Sequence, residues 1–308
     1  MGNKRAIVTG AAGFAGIHLT KHLLEQGYTV LAILRPESKH NERICELQKI
    51  YPEDRLRGLA VDLYDAPLLR SVGFRGEGYD LFFDLAWGGG RNDLPAQRGN
   101  IRHMLDAVEA AAFLGCRRFI GIGSQAEYGV HTDIITEESA TQPFSAYGAA
   151  KLAACHLSRI AAEQAGLEWI WGRIFSLTGE YEPAGRMLPD LVRKLMHGEA
   201  AELSSCEQNW DYLDASDAAD AMIALAERGK PGELYNIANG AYRRLKDFTE
   251  EVRRQLAAGT EIRYGAKAEP FVSLAPDVSK IYADTGWEAR TGFAESISSL
   301  QNMFRDVT

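Results

Sequence analysis

The residues best suited to proton transfer are a tyrosine and a lysine in the segment SAYGAAK. Tyr147 and Lys151 are four positions apart, so on a helix they share one face. A lysine ammonium near a phenol favours the phenolate and lowers the pKa of the tyrosine. The phenol can then give a proton to a substrate oxygen or take one from it. Such a pair also arises by chance, so alone it is weak evidence.

A serine upstream could serve the same chemistry. Ser124 stands in GIGSQAEYG, directly after a short apolar segment that is predicted to be a strand. That position lies at the carboxyl edge of a parallel sheet, where ligands of such sheets bind. The hydroxyl could hydrogen-bond the substrate oxygen that Tyr147 protonates, or it could cap a helix or turn. A glycine array, a strand-end serine and the tyrosine–lysine pair, in that order, are far more specific than any one of them.

The glycine array lies in TGAAGFAG, between the first predicted strand and the first predicted helix. Gly10 permits a tight turn, Gly13 lets the backbone approach a pyrophosphate, and Gly16 lets the helix pack on the strand. The helix begins at Phe14 and Ala15, where free N–H groups and the positive end of the helix dipole favour an anion. This context predicts a dinucleotide site, with a structural turn as the alternative.

Two further segments bear on the cofactor. The second predicted strand ends in LAILRPES, with Arg35 where NAD-specific folds tend to have an acidic residue for the ribose 2′-hydroxyl. A guanidinium matches a 2′-phosphate, so NADP(H) is favoured and NAD(H) stays possible; a solvated surface arginine is the alternative. Asp62 and Leu63, in AVDL, follow the third predicted strand. We expect Asp62 to accept from the adenine amino group or to cap a loop.

The elements that must position these residues alternate along the first half of the chain. Apolar segments predict strands over 4–9, 28–34, 56–61, 79–85, 117–122 and 167–174. Helical spacing predicts helices over 14–26, 97–114 and 147–165. Continuous apolar strands alternating with helices indicate an α/β fold, a doubly wound parallel sheet of Rossmann type. Shorter helices are predicted over 187–197, 216–228 and 245–257.

After residue 175 the pattern loosens and proline and glycine become frequent. We therefore divide the chain into a Rossmann domain, 1–174 with about 209–240, and a smaller α+β substrate-binding region, 175–208 and 241–308. Two alanine-rich helical segments, AVEAAAFLG and AAKLAACHLSRIAAEQAG, have faces of small residues. Such faces fit either packing within the chain or the interface of a homodimer.

Composition excludes several classes of protein. The 308 residues carry a formal net charge of −8, which repels phosphate backbones and argues against nucleic-acid binding. The four cysteines are scattered, without metal-ligand spacing, so we expect reduced core thiols and no metal site. The N-terminal segment lacks a signal-peptide apolar run, and no stretch approaches the ~18 apolar residues of a membrane span. We expect a cytoplasmic protein without membrane contact.

Together these segments resemble one known family across nearly the whole chain. It is that of the extended short-chain dehydrogenases/reductases known as the NAD-dependent epimerase/dehydratase family, which acts mainly on nucleotide-diphosphate sugars. TGAAGFAG resembles its glycine motif, AVDL its adenine-contact motif, and GIGSQAEYG and YGAAK its serine and tyrosine–lysine segments. QRGNIRHMLDAVEAA resembles the helix that carries the family's asparagine, here Asn100. WDYLDASDAADAM resembles its RDxxxVxDxA segment and DTGWEA its late LGWxP turn.

The resemblance implies roles for individual residues. Tyr147 would be the general acid/base, Lys151 would lower its pKa and bind the nicotinamide ribose, and Ser124 would orient the reacting oxygen. The family's HxAA segment reads DLAWGGG here. Trp87 could therefore be a wall on which a sugar stacks, or it could pack within its loop. The residues expected to contact the cofactor through the resemblance also include Leu85, Ala86, Trp87, Asn100 and Ile174.

Departures from the family pattern reduce the number of reactions that we expect this chain to catalyse. Sugar dehydratases carry an Asp–Glu pair after the serine, where this chain has Gln125 and Ala126, so dehydration is not expected. Glu127 comes one position late and is expected to point to the opposite side as a structural carboxylate. Trp210 replaces the family's arginine for the sugar-nucleotide diphosphate. The candidate cations to replace it are Arg186, Arg243 and Arg290, and the predicted substrate-binding residues are Trp87, Ser124, Gln125, Arg186 and Trp210.

Three functional hypotheses follow. The first is an NADPH-dependent reductase of a nucleotide-diphosphate-linked 4-keto-6-deoxy sugar, with hydride transfer to C4 and Tyr147 as the proton donor. Arg35 favours it, and the serine segment ending in EYG resembles that of such reductases. The second is a nucleotide-sugar 4-epimerase that retains NAD. The third, a non-catalytic NADP-sensing protein, has no need of Ser124, Tyr147 and Lys151. Reductases of other carbonyl substrates also remain.

Overall fold

The computed structural model describes residues 4–62, 78–257, 259–268 and 272–305. Strands and helices alternate through the first half of the chain. The strands are β1 (Arg5–Thr9), β2 (Thr29–Leu34), β3 (Leu56–Ala60), β4 (Leu81–Asp84), β5 (Arg118–Ser124) and β6 (Glu168–Ile174). The helices are α1 (Phe14–Glu25), α2 (Glu42–Gln48), α3 (Leu94–Phe113) and α4 (Ala146–Gln164).

The second half contributes shorter elements. Its strands are β7 (Ser176–Thr178), β8 (Ala201–Glu202), β9 (Asn209–Trp210), β10 (Tyr212–Asp214), β11 (Leu234–Ile237), β12 (Arg243–Arg244) and β13 (Ile262–Arg263). Its helices are α5 (Met187–Met196), α6 (Ala215–Arg228), α7 (Leu245–Leu256), α8 (Ser279–Thr285) and α9 (Phe293–Arg305). The six strands and six helices that the sequence predicted agree with the structure to within a few residues at each end, whereas α2, α8, α9 and several of the short strands were not predicted.

A seven-stranded sheet in the order β11-β6-β5-β4-β1-β2-β3 forms the centre of the molecule. All six neighbouring pairs in it are parallel. Helices α1 and α6 pack together on one face, and α3 and α4 pack together on the other. The strands are therefore buried on both sides, which is why their sequences are almost continuously apolar. The predicted doubly wound Rossmann-type fold is confirmed.

A second apolar cluster forms beside the carboxyl edge of the sheet. It joins α5, α7 and α9 around Leu191, Phe248 and Leu300, in the region that the sequence assigned to substrate binding. Helix α8 was assigned to the same region, but it packs on α6 and β11, and its Ile281 lies in the core beneath the sheet. The division into two functional regions stays a prediction.

Several expectations concern what the chain lacks. No helix in the described ranges combines the length and apolar character that a membrane span needs. Within the same ranges, no three metal-ligating His, Cys, Asp or Glu residues come together. No disulfide joins the four cysteines, all of which lie in the described part of the chain. Cys45, on α2, is exposed, so the expectation of core thiols is wrong for this residue.

Candidate active site

The glycine array connects β1 to α1 in a turn that is packed too tightly for side chains. Gly10 has a φ of +65°, and a Cβ there would lie 3.1 Å from the Cα of Ala86. A Cβ on Gly16 would lie 2.1 Å from the carbonyl oxygen of Gly10. The N–H of Gly13 donates to the same carbonyl oxygen at 2.9 Å. The backbone is thus held close to the N-terminus of α1, a geometry that fits a dinucleotide pyrophosphate.

The ends of β1 and β4 are tied together beside this turn. Thr9 donates from Oγ1 to Asp84 Oδ1 at 2.5 Å and accepts from the N–H groups of Leu85 and Ala86 at 3.2 and 3.1 Å. Asp84 is fully buried and also bonds His103 Nε2 at 3.0 Å. The segment that leads to Trp87 is therefore fixed against the glycine turn. Asp84 and His103 were not among the predicted site residues, because their pairing across β4 and α3 leaves no local pattern.

One cavity runs from the glycine turn to the predicted nucleotide end. Its walls include Gly10, Gly13, Leu85, Ala86 and Trp87 at one end and Arg35, Ser38, His40 and Asp62 at the other. Arg35 and Asp62 thus lie at the same end of one cavity, as their predicted roles require. Leu63 lies outside the described residues.

Besides Tyr147 and Lys151, five residues that were predicted to contact the cofactor do not line this cavity: Phe14, Ala15, Gly16, Asn100 and Ile174. Gly16 instead allows α1 to approach Gly10. Asn100 is fully buried, and its amide bonds both the N–H and the carbonyl of Gly88, so it acts on the cavity by holding that residue. Phe14 and Ile174 pack against the apolar core of the sheet. Direct contact of these five with the cofactor stays a prediction.

The structure brings Ser124, Tyr147 and Lys151 together at the carboxyl edge of the sheet. Ser124 ends β5, and its hydroxyl lies close enough to that of Tyr147 to act on the pKa of the phenol. Tyr147 lies in the first turn of α4, which Ser145 caps by accepting the N–H of Gly148 at 3.2 Å. Lys151 follows one turn later and is buried, with its Nζ donating to the carbonyl oxygen of Ile122 at 2.6 Å.

The protonation of the pair differs from the sequence prediction. Burial raises the pKa of Tyr147, while the Ser124 hydroxyl and the charges of Arg91 and Arg186 lower it in part. The predicted lowering by Lys151 is wrong for this structure, because its ammonium faces the Ile122 carbonyl and the ring of Trp87. Burial also lowers the pKa of Lys151 to about 8, against the opposing charges of Asp84 and Glu127.

Trp87 lies between the cavity and the reactive pair. The ammonium of Lys151 is 3.7 Å from the centre of its ring, and the ring of Tyr147 meets it edge-on at 6.1 Å. Its indole N–H donates to Gln97 Oε1 at 2.9 Å, which fixes the ring. Both alternatives for Trp87 therefore hold in part: it packs within its loop and it also lines the cavity.

The three arginines that are candidates for binding the substrate diphosphate lie at different distances from the reactive tyrosine. Arg186 is exposed, its guanidinium lies 5.6 Å from the centre of the Phe14 ring, and its charge acts on Tyr147. Arg243 is paired with Glu251 and stacked on Phe248. Arg290 lines a different cleft, together with Gln26 and Asp220 at the outer side of α1 and α6. Arg186 is thus the candidate near the reactive tyrosine, and the assignment of Arg290 is not supported.

Gln125 and Trp210 are the two remaining residues that the sequence predicted to bind the substrate. Gln125 is half-buried directly after Ser124. Trp210 packs against Tyr212, with ring centres 6.4 Å apart. The indole N–H of Trp210 is buried and has no hydrogen-bond partner among the described residues, so it is free to donate to a ligand.

A buried carboxyl in the loop before α5 was missed by the sequence analysis. Glu182 is 5% exposed, and burial raises its pKa to about 7, although the charge of Arg186 lowers it in part. Its Oε2 has no hydrogen-bond partner in the described part of the chain. The surrounding segment, TGEYEPAGR, is rich in glycine and polar residues, so nothing in the sequence indicated burial.

Lys151→Met should change how stability depends on pH. Between about pH 8 and 10.5 the unfolded chain keeps the lysine proton that the folded chain has lost. The free energy of unfolding of the wild type should therefore gain on the order of 3 kcal/mol from this group as pH rises through that range. Urea unfolding of cofactor-free protein at several pH values should show this gain in the wild type and not in Lys151→Met. Equal pH dependence in the two proteins would contradict the assigned burial of the ammonium.

The glycine turn, the cavity beside it and the Ser–Tyr–Lys set at the sheet edge define a dinucleotide-dependent enzyme of the short-chain dehydrogenase/reductase type. A model of the NAD dependent epimerase/dehydratase family matches residues 6–238. The chain belongs to this family.

Relatives and a solved structure cover almost the whole chain. UDP-arabinose 4-epimerase 1 of Arabidopsis thaliana is 26% identical, over 97% of this chain and 78% of the relative. CDP-abequose synthase of Salmonella muenchen is 21% identical, over 96% of this chain and 94% of the relative. The solved structure of MoeE5 in complex with UDP-glucose and NAD is 26% identical and covers 100% of both chains, with a TM-score of 0.81.

Proposed function

We propose that the protein is a nucleotide-sugar 4-epimerase that keeps its nicotinamide dinucleotide through the catalytic cycle. The observation that carries this proposal is the juxtaposition of Ser124, Tyr147 and Lys151 at the sheet edge, beside the cavity of the glycine turn. Two hydroxyl groups there can bind one oxygen of a sugar. The 4-epimerases among the relatives favour this reaction over the reductase that the sequence favoured first.

The residues present fit a dinucleotide, because the lack of a Cβ at Gly10 and Gly16 lets the turn approach the Ala86 backbone and the start of α1 closely beside the cavity. Gly10, Gly13 and the start of α1 would hold its pyrophosphate, and Arg35 and Asp62 its adenosine. When bound, the nicotinamide ring would supply the acceptor, and then the donor, of the hydride at the sugar carbon.

The chain's own residues would move the proton. Tyr147 would take the proton of the sugar hydroxyl as the C–H hydride leaves, and would return it to the ketone oxygen when hydride comes back to the other face. Ser124 would donate to that oxygen and fix its position. Lys151 would bind the nicotinamide ribose, and the charges of Arg91 and Arg186 would stabilise the phenolate that forms in between. Both proton and hydride return, so the product differs from the substrate only in configuration.

The residues after Ser124 support a reaction at one carbon. Gln125 and Ala126 carry no acid or base, so elimination of water has no proton acceptor at that position. Arg186 would bind the substrate diphosphate, and Trp210 would donate its N–H to the same ligand. A uridine nucleotide is the first choice of base, because UDP-sugars are named for the relative and the solved structure.

The second candidate is the reductase of a nucleotide-diphosphate-linked 4-keto-6-deoxy sugar with exchangeable NADPH. Arg35 at the nucleotide end of the cavity favours it, and so does the match to a CDP-abequose synthase. Acid denaturation of purified protein, followed by identification of the released nucleotide, separates the two. The epimerase predicts a near-stoichiometric amount of NAD(H), whereas a protein that comes free of nucleotide and binds NADPH reversibly would support the reductase.

Arg35→Asp tests the cofactor preference that Arg35 was assigned. We expect the ratio of the dissociation constants for NADP⁺ and NAD⁺ to move toward NAD⁺ by about tenfold or more, because a carboxylate repels the 2′-phosphate and accepts the 2′-hydroxyl. Isothermal titration measures both constants. Lys21→Asp, an exposed cation on α1 outside the cavity, should leave the ratio unchanged. An unaltered ratio in Arg35→Asp would remove Arg35 from the site.

A homodimer through α3 and α4 is part of the proposal. Their outer faces leave three large apolar side chains exposed, namely Phe113, Leu157 and Ile160, and a second copy would cover them. The double variant Leu157→Glu, Ile160→Glu should be monomeric by light scattering. Ile50→Glu, at a 71% exposed position after α2, should stay dimeric. A monomeric wild type would contradict the dimer. A cytoplasmic location also stays a prediction.

A further inference from the structure

Glu127 lies directly behind Ser124 and is completely buried. Its Oε1 accepts the backbone N–H of Ser124 at 2.9 Å and the indole N–H of Trp171 at 3.1 Å. The side chain closes a short 3₁₀ turn that begins at Ser124. A Cβ on Gly123 would lie 2.2 Å from this carboxylate oxygen, so the glycine is needed to admit it. The carboxylate therefore holds the backbone of the serine beside Tyr147.

The partner of Glu127 is also buried. Arg173, on β6, is 3% exposed and donates from Nε to Glu127 Oε2 at 2.8 Å. Its guanidinium lies 4.5 Å from the centre of the Tyr128 ring, and Tyr128 donates to Asn236 on β11 at 2.6 Å. A buried ion pair is costly to desolvate and rarely improves stability. The Glu127–Arg173 pair lies next to the end of β5, where Glu127 accepts the N–H of Ser124. This position suggests that the pair serves the active site rather than stability.

The charge of this pair faces the catalytic groups. The negative charges of Glu127 and Asp84 raise the pKa of Lys151, against the effect of burial. Glu127 also raises the pKa of Tyr147. The charged and titratable groups around Lys151 are Tyr147 and Cys155 on its own helix, Asp84 at the end of β4 with His103 from α3, Glu127 after β5, and Arg173 on β6.

We propose that Glu127, held by Arg173, is a positioning residue of the active site: its carboxylate fixes the Ser124 backbone and places a buried negative charge behind Tyr147 and Lys151. This inference rests on the roles proposed above for those three residues. Glu127 acts through them and touches neither sugar nor cofactor. It keeps the Lys151 ammonium charged in a buried site where a lone lysine would give up its proton.

The test measures the titration of Lys151 in cofactor-free protein, so it does not depend on knowing the substrate. Carbon NMR of protein labelled at the lysine side chains follows each Cε signal against pH, and the Lys151 signal is the one absent from Lys151→Met. Glu127→Gln should lower the titration midpoint of Lys151 by roughly one pH unit, because it removes a nearby negative charge. Asp211→Asn is the matched control. Asp211 is a buried carboxyl that accepts the N–H groups of Asn239 and Gly240, and its change should leave the midpoint unaltered.

A second variant keeps the test decisive if Glu127→Gln folds poorly with Arg173 left unpaired. The double variant Glu127→Gln, Arg173→Met removes both charges, a change that buried pairs often tolerate. It should also lower the midpoint, although by less than Glu127→Gln does, because the loss of Arg173 removes a positive charge that opposes protonation of Lys151. An unchanged midpoint in both variants would overturn the inference while leaving the proposed function untouched. A lowered Lys151 midpoint in the variants, together with a wild type that converts no nucleotide sugar, would support the inference and contradict the proposed function.

Discussion

Tyr147→Phe should abolish turnover and leave dinucleotide binding intact. The variant loses only the phenolic hydroxyl, on whose pKa Ser124 acts, and a positioned acid/base contributes about two to four orders of magnitude to a rate. We therefore expect kcat to fall by about a thousandfold or more. The phenylalanine ring keeps the packing against Trp87, whose centre is 6.1 Å away. Steady-state kinetics with the nucleotide sugar that the wild type converts measures kcat. Nucleotide content after purification measures dinucleotide binding.

The matched control for this variant is Tyr128→Phe. Tyr128 is a fully buried tyrosine whose hydroxyl donates to Asn236 on β11. Its loss removes a buried hydrogen bond, so stability should fall by about 1 kcal/mol, with a far smaller loss of kcat than in Tyr147→Phe. Turnover by Tyr147→Phe within tenfold of the wild type would remove Tyr147 from the mechanism.

Gly16→Ala should weaken cofactor binding strongly. The new methyl group would lie 2.1 Å from the carbonyl oxygen of Gly10, and both partners of this clash are backbone or Cβ atoms that cannot rotate away. Relief requires α1 to move from the turn that faces the pyrophosphate. Overpacking of this kind costs about 1–3 kcal/mol, so dinucleotide should bind about ten- to a hundredfold more weakly. Isothermal titration of cofactor-free protein measures the loss.

The control is another glycine-to-alanine change. Gly292, just before α9, has open space around the position of a Cβ and no positive φ, so Gly292→Ala should bind dinucleotide as the wild type does. Circular dichroism should show the same helix content in both variants. Wild-type affinity in Gly16→Ala would mean that the turn does not bind the pyrophosphate.

The features that the sequence predicted correctly are those with a local signal. The six strands of the first half are short, largely apolar runs, and helical or polar segments separate them. Gly10 and Gly16 could be assigned because a strand–glycine–helix connection needs them at that spacing. The meeting of Ser124 with Tyr147 followed from two facts: a strand ends at one and a helix begins at the other.

The features that the sequence did not predict depend on contacts between distant segments. The direction of the Lys151 ammonium is set by the Ile122 carbonyl and by Trp87, so the expected lowering of the tyrosine pKa did not follow from spacing alone. Arg290 was a plausible phosphate ligand until the fold placed it beside Gln26. Asn100 was assigned to the cofactor, but its amide is committed to Gly88. Each of these outcomes depends on where a side chain points in the folded protein. Residue types and their spacing do not specify that direction.

The central claim is that the protein interconverts two nucleotide sugars that differ at C4, with Tyr147 moving the proton and the dinucleotide retained. The most direct measurement follows UDP-, CDP-, dTDP- and GDP-sugars by proton NMR after addition of a catalytic amount of purified protein and no cofactor. We predict that at least one of them is converted to an equilibrium mixture with its 4-epimer, by the wild type and not by Tyr147→Phe. Conversion that requires stoichiometric NADPH and consumes it, or wild-type protein with bound dinucleotide that converts none of the sugars, would contradict the claim.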